Sequence, residues 1–242
     1  MTTDTTVPEG YSFGDARYAV FVLPPLGSPV RVLGNAWLGR DPDIDEPVPH
    51  PVVEGLHHER LQAITHEPRR YSFHGTLKAP FGLAPGQEAG ALRDAVDAFA
   101  AACDPFEVRL KVDSIDGFIA LVPAEPSPEL DRLAADCVRE FDRYRAPLTN
   151  EERARRRPER LSEGERANLE RWGYPYVMDA FRFHMTLTGR LDEPERGRVR
   201  AILERIFRPA LAEPLRVDQV ALLTQTHRVA PFRVVDRFRF RR

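Results

Sequence analysis

The chain has 242 residues, with 35 Lys and Arg against 37 Asp and Glu and a formal net charge of −2. That balance excludes a protein that grips polyanions by bulk charge alone, since such binders carry a large basic excess. The length allows one large or two small domains, and no apolar run reaches the roughly 20 residues that span a bilayer. Met1 to Gly10 is polar and lacks a hydrophobic signal core. The two cysteines, Cys103 and Cys137, stand in neither a metal-type nor a redox-type spacing. The expectation is a soluble, cytoplasmic protein with two reduced thiols.

Residues 1–16 read as a mobile or loosely docked arm. Arg17 to Pro25 reads as a strand rich in β-branched and aromatic residues. Ser28-Pro29 starts a helix, with Ser as N-cap and Pro at the first helical position, and Gly39 closes it. A loop over 41–52 and a short helix from Val53 to Thr65 lead to a strand over Tyr71 to Phe81. Apolar residues at helical period follow Gly86. Strands over Glu107 to Ile115 and Phe118 to Pro123 flank Asp116-Gly117, a hairpin signal. Ser127-Pro128 starts a helix whose apolar face is Leu130, Leu133, Val138 and Phe141. Within 146–180, Thr149 with Glu152 and Ser162 with Glu165 are capping-box spacings that predict two short polar helices. A strand over Phe181 to Leu191, a helix from Glu193 to Phe207, and strands over Leu215 to Gln225 and Pro231 to Phe240 end the chain.

One pentapeptide occurs twice: Phe73-His74-Gly75-Thr76-Leu77 and Phe183-His184-Met185-Thr186-Leu187. In a strand, residues i and i+2 share a face. His74, Thr76 and Lys78 are thus expected on one face, and His184, Thr186, Thr188 and Arg190 on one face of the second copy. Each copy offers an imidazole, a hydroxyl and a cation opposite an apolar side, which is half of a phosphate site. The element order reads as one βα-type unit used twice. The expected fold is α+β: duplicated lobes with pseudo-two-fold symmetry, two antiparallel sheets lining a central groove, and helices outside. Residues 1–242 then form one bilobal domain, with 146–180 as a lid.

The tetrapeptides His74-Gly75-Thr76-Leu77 and His184-Met185-Thr186-Leu187 resemble the signature of the 2H phosphoesterase superfamily, which includes RNA 2′,3′-cyclic phosphodiesterases. Residues 71–81 and 172–177 are similar to a narrower branch known as phosphonate-metabolism proteins of unknown function. The resemblance implies a metal-independent, cofactor-free hydrolase that opens a small cyclic phosphodiester. Such a reaction needs a base for the attacking water, an acid for the departing alkoxide, and donors for the phosphoryl oxygens. His74 and His184 suit the proton roles, with their order left open. Thr76 and Thr186 would donate to phosphoryl oxygens, and Lys78 and Arg190 would complement charge unless they are solvated strand-end cations.

Tyr18 and Tyr176 either reach the substrate or pack in the core. His57, His58 and His66 read as a solvated helix, because adjacent histidines do not converge on a metal. The arginines from Arg153 to Arg160 read as a salt-bridged exposed helix, or else as an anion-gathering lid. Two competing functions are an RNA 2′,3′-cyclic phosphodiesterase or end-processing enzyme and a non-catalytic phosphate- or nucleotide-binding module. Near-neutral charge disfavours nucleic acid. The expected partner is a small phosphate ester, with no membrane and a monomeric chain.

Overall fold

A computed structural model describes residues 16–242. The N-terminal arm, apart from Ala16, lies outside the described residues. In chain order the elements are β1 (Arg17–Val22), α1 (Pro29–Leu38), β2 (Arg40–Asp41), β3 (Glu46–Pro47), α2 (His58–Arg69), β4 (Gly75–Gly82), α3 (Ala89–Ala101), β5 (Phe106–Val108), β6 (Leu110–Ile115), β7 (Phe118–Pro123) and α4 (Pro128–Phe141). They continue with α5 (Asn150–Arg155), α6 (Glu163–Trp172), β8 (Met185–Thr186), α7 (Glu195–Phe207), β9 (Leu215–Val217), β10 (Gln219–Gln225) and β11 (Arg233–Arg239).

Local sequence rules account for many of the ends. Pro29 opens α1 after Ser28, and Gly39, at φ 77°, closes it by donating to the Asn35 and Ala36 carbonyls. Thr149 with Glu152 and Ser162 with Glu165 both form complete capping boxes. The expected helix over 53–65 begins later, at His58. Gly55, at φ 81°, closes a turn in which Leu56 N–H donates to the Val53 carbonyl, so the helix starts only beyond it.

Seven strands form one antiparallel sheet in the order β11-β10-β1-β4-β8-β7-β6, with small ladders β2-β3 and β5-β9 beside it. The α+β class is observed, but the two facing sheets are corrected to one. The motif strands β4 and β8 bond to each other, Gly75 opposite Met185, so the two groups of strands join edge to edge. The C-terminal β10 and β11 return beside β1, and this order does not establish duplicated lobes or pseudo-two-fold symmetry.

The sheet has two unequal faces. Val20, Val22, Leu77 and Met185 join one large core with buried residues of α1, α2, α3, α4 and α7. Ala19, Phe21, Leu23, Ala221, Leu223 and Phe232 form a small cluster apart from it. The apolar residues of both motifs, Phe73, Leu77, Phe183, Met185 and Leu187, are at most 5% exposed. Burying each contributes about 1.5–3 kcal/mol, which anchors the polar residues that alternate with them.

The second motif strand spans two residues rather than the expected eleven. Past Thr186, the Leu187 and Thr188 N–H groups both donate to the Ile119 carbonyl, and the Thr188 hydroxyl accepts the Ile119 N–H. A side chain has replaced a ladder partner, and the strand ends there. The chain then docks on the helices: Trp37 Nε1–H donates to the Leu187 carbonyl, and Gly189 N–H to the Ile64 carbonyl. Because β8 is short, the far end of β4 has no strand neighbour on that side. Residues around the start of the 146–180 segment close it, with Ala146 N–H donating to the Gly82 carbonyl and Ala84 N–H to the Tyr144 carbonyl.

Candidate active site

The register Gly75 opposite Met185 fixes the centre of the site. One step either way in an antiparallel pair sets His74 across from Thr186 and Thr76 across from His184. Four polar residues thus share one small patch of the face that carries Phe21. The motif's single difference, Gly75 against Met185, falls at the directly opposed pair. A Cβ on Gly75 would lie 2.3 Å from the Phe183 ring, so only glycine admits that ring over the strand.

Both imidazoles are held by one backbone device. His74 Nδ1–H donates to the Ser72 carbonyl at 2.8 Å, and His184 Nδ1–H donates to the Arg182 carbonyl at 2.7 Å. A carbonyl only accepts, so Nδ1 carries the proton and Nε2 is the basic nitrogen in both rings. Ser72 sits at φ 67°, a left-handed conformation uncommon for serine, and its hydroxyl is gripped by buried Arg40, itself paired with Asp45. The Thr76 hydroxyl lies 3.0 Å from His74 Nε2, placed to donate to it.

The surroundings differ. His74 stacks on Phe21 with ring centroids 3.9 Å apart, and Tyr71 lies 6.2 Å away. Loss of hydration pushes its pKa down to about 4, and a charge on His184 pushes the same way. His184 lies 5.5 Å from Phe118 and beside the Asp116-Gly117 turn. Burial lowers its pKa as well, while the Arg182 carbonyl and the Asp116 carboxylate pull it back up.

Several expected site residues lie elsewhere. Lys78 does not stand beside His74 and Thr76. Register shifts between β1 and β4 break the alternation, so Lys78 pairs across from core-facing Val20. Its ammonium is 3% exposed and donates to Asp142 Oδ1 at 2.9 Å and to the Val138 carbonyl at 3.0 Å. Tyr18 packs against the large core, on the face opposite Phe21, because it is an odd number of positions from it. Thr188 is fully buried as a ladder acceptor. Arg190 is exposed beside Gly117, beyond the end of β8. Tyr176 is 48% exposed and meets Tyr174 edge-on, 5.6 Å away. His57, His58 and His66 are exposed on or next to α2, and no group of three metal-type side chains converges among the described residues.

A cavity of about 760 Å³ has Tyr71 in its wall, with that ring 6.2 Å from His74, while neither histidine nor either motif threonine lines it. Arg17, Arg156, Arg228 and Tyr174 also line it; sequence reading assigns no role to Arg17, Arg228 or Tyr174, whereas Arg156 belongs to the run read as a salt-bridged helix or an anion-gathering lid. Arg17 is readable: it stands four positions before Phe21 on the same strand face, one residue before Tyr18. Arg228 comes from a distant segment and gives no local signal, and Tyr174 is marked only by lying in the 172–177 stretch. The lining also takes in residues 146–149 and 172–174, so the 146–180 segment walls this cavity.

The fold and site define a mixed α+β protein with a paired His-x-Thr centre beside a cationic cavity. The chain belongs to the family described as Protein of unknown function (DUF1045), whose pattern matches residues 76–233. It is 38% identical over 221 residues to a Janthinobacterium sp. (strain Marseille) protein named ribose 1,5-bisphosphate phosphokinase PhnN, covering 89% of this chain and 49% of that protein. A Laribacter hongkongensis (strain HLHK9) protein of the same name is 34% identical over 221 residues, covering 90% of this chain and 50% of that one. The chain therefore spans about half the length of these curated relatives. The crystal structure of TT0787 of Thermus thermophilus aligns over 93% of this chain and 98% of that chain at 16% identity, with a TM-score of 0.44, too low to show a shared fold.

The relatives' name overturns the expected function. Both are named as a phosphokinase, which is neither a hydrolase of small cyclic phosphodiesters, nor an RNA 2′,3′-cyclic phosphodiesterase, nor a non-catalytic binding module. Among the described residues, no helix is long and apolar enough to cross a membrane.

Proposed function

We propose that the chain is an enzyme, or the part of one, that moves a phosphoryl group to or from a phosphorylated pentose by histidine acid–base catalysis. One observation carries this reading: the Gly75–Met185 register sets two His-x-Thr pairs crosswise, each ring with its Nδ1 proton on a backbone carbonyl. The ribose bisphosphate in the relatives' name supports the substrate class. The motifs' resemblance to the 2H superfamily supports the proton roles, and the link to phosphonate metabolism belongs to this reading too.

His74 is the base. Its depressed pKa keeps Nε2 neutral at pH 7, ready to take the proton of an attacking hydroxyl. His184, beside Asp116, is the acid: a bound phosphate anion, added to the Asp116 carboxylate, favours its charged form, which then protonates the departing oxygen. Thr186, with no side-chain partner among the described residues, and Thr76, once turned from His74, donate to the phosphoryl oxygens. Residues 146–180, which wall the cavity, act as a lid on a single domain.

The test is phosphorus NMR of the full chain with ribose 5-phosphate and ribose 1,5-bisphosphate, each with and without magnesium ATP. New phosphorus signals that disappear in His74→Ala are expected. Unchanged spectra in every mixture, or full turnover by the histidine variants, would sink the reading.

A further inference from the structure

The cavity that shares Tyr71 with the surroundings of His74 carries a charge pattern that the acid–base site does not use. Six arginines and Lys78 line it, against Glu151 and Glu152, in a chain whose overall charge is −2. Four of these cations are already answered by carboxylates: Lys78 and Arg145 by Asp142, Arg155 by Glu151, and Arg228 by Glu152. Arg17, Arg70 and Arg156 pair with no carboxylate among the described residues. Gathering like charges without counter-charges is costly in a partly buried space, so a group built to keep them together needs an anion.

Each of the three is held in place by uncharged groups. Arg17, 8% exposed, donates through Nε to Gln225 Oε1 at 2.9 Å and lies over the Phe232 ring. Gln225 in turn donates to the Arg228 carbonyl at 3.1 Å, which ties Arg228's loop to the same wall. Arg156 lies over the Tyr174 ring, 4.7 Å from its centroid. Arg70 lies over the Tyr71 ring at 5.1 Å, and its buried Nε has no hydrogen-bond partner. Planar guanidinium groups fixed on aromatic rings match the fork geometry of phosphate oxygens. Arg17 feels Arg228 and Arg156 as like charges that, after its burial, weaken its hold on its own proton.

We propose that this cavity is a subsite for a second phosphate monoester, held by Arg17, Arg70 and Arg156 while the histidine pair works on the other end of the ligand. The proposal rests on the preceding reading for which end reacts, and on the cavity alone for binding. Tyr71 joins the two parts, lining the cavity 6.2 Å from the His74 ring. The substrate is then a sugar with phosphate at both ends.

The experiment titrates inorganic phosphate into the full chain and follows the fluorescence of Trp172, which lines the cavity, with calorimetry alongside. Saturable binding is expected, weakened about tenfold or more in Arg156→Gln, as for the loss of one charge-assisted hydrogen bond. Arg156 is on the rim of a short helix, so its variant folds even where Arg17→Gln does not. Arg160→Gln, exposed on the same segment and outside the cavity, leaves binding unchanged. Turnover is measured beside binding, which separates this proposal from the catalytic one: binding that persists while no phosphorylated pentose reacts defeats the catalytic reading alone. No saturable binding, equal weakening by Arg160→Gln, or undiminished binding in Arg156→Gln overturns the subsite.

Discussion

The two copies of the pentapeptide share a backbone device and little else. In both, the histidine donates Nδ1–H to the carbonyl two residues earlier. The first copy runs into an eight-residue strand and packs its ring against Phe21. The second stops after two strand residues and leaves its ring beside an acidic turn. Identical side chains thus receive unequal environments, and unequal imidazoles are what a base and an acid require. Even the odd third position belongs to the pairing: Gly75 is small because Phe183 of the other copy lies over it.

The largest effect tests whether both copies act. His74→Ala and His184→Ala are each expected to cost about 10²–10⁴-fold in the rate of phosphoryl transfer, read by phosphorus NMR. The double variant should lose less than the product of the two, since the residues act as a unit. A variant of one copy with full turnover would reduce the pair to a single working histidine. The opposed Gly75–Met185 pair comes next, and Gly75→Ala tests an added group. Its methyl meets the Phe183 ring, and overpacking of that kind costs about 1–3 kcal/mol, measurable as a lower denaturant midpoint. Met185→Ala, at the opposed position, leaves a cavity instead and costs about 2–5 kcal/mol in stability without forcing the strands apart. An unchanged midpoint in Gly75→Ala would show that the copies are not wedged together there. Thr188→Val should cost less than Met185→Ala, about 1–3 kcal/mol, by leaving the buried Ile119 N–H without its acceptor. Loss of the short β8 pairing in amide exchange is the accompanying sign.

What the sequence made legible was local. Capping boxes, the Asp116-Gly117 turn and the alternation of Phe73, His74 and Gly75 are rules spanning a few residues, and each is present. Lys78 leaves its expected face because a register shift is set by the partner strand, β1, not by β4's own sequence. β8 is shorter than its sequence suggests because Thr188, an ordinary strand residue by type, takes the Ile119 N–H on its hydroxyl. One sheet replaced two because strand order depends on which edges meet. Arg17, Arg156 and Arg228 come from three separated stretches, and only folding puts them around one cavity. The two histidines and two threonines were legible for the opposite reason, since a repeated motif announces itself twice.

The smallest effect distinguishes the copies by pH. His74 has its pKa lowered to about 4 in the folded chain, against about 6.5 unfolded. Above pH 6.5 neither state holds the proton, and this residue gives stability no pH dependence. Between 6.5 and about 4 the unfolded chain binds a proton that the folded chain refuses, so stability falls as pH falls. Below about 4 both states are protonated and this contribution levels off. Carboxylates add their own slope near the bottom of that window, so the useful quantity is the difference between the native chain and His74→Gln. Denaturant unfolding across pH 4–8 should give a shallower acid slope for His74→Gln, whatever its constant offset from lost packing. His184→Gln should flatten the slope less, because the Asp116 carboxylate offsets part of that ring's loss of hydration. Equal flattening by the two variants would mean that the copies carry equivalent imidazoles, and the division into a base and an acid would then have no physical ground.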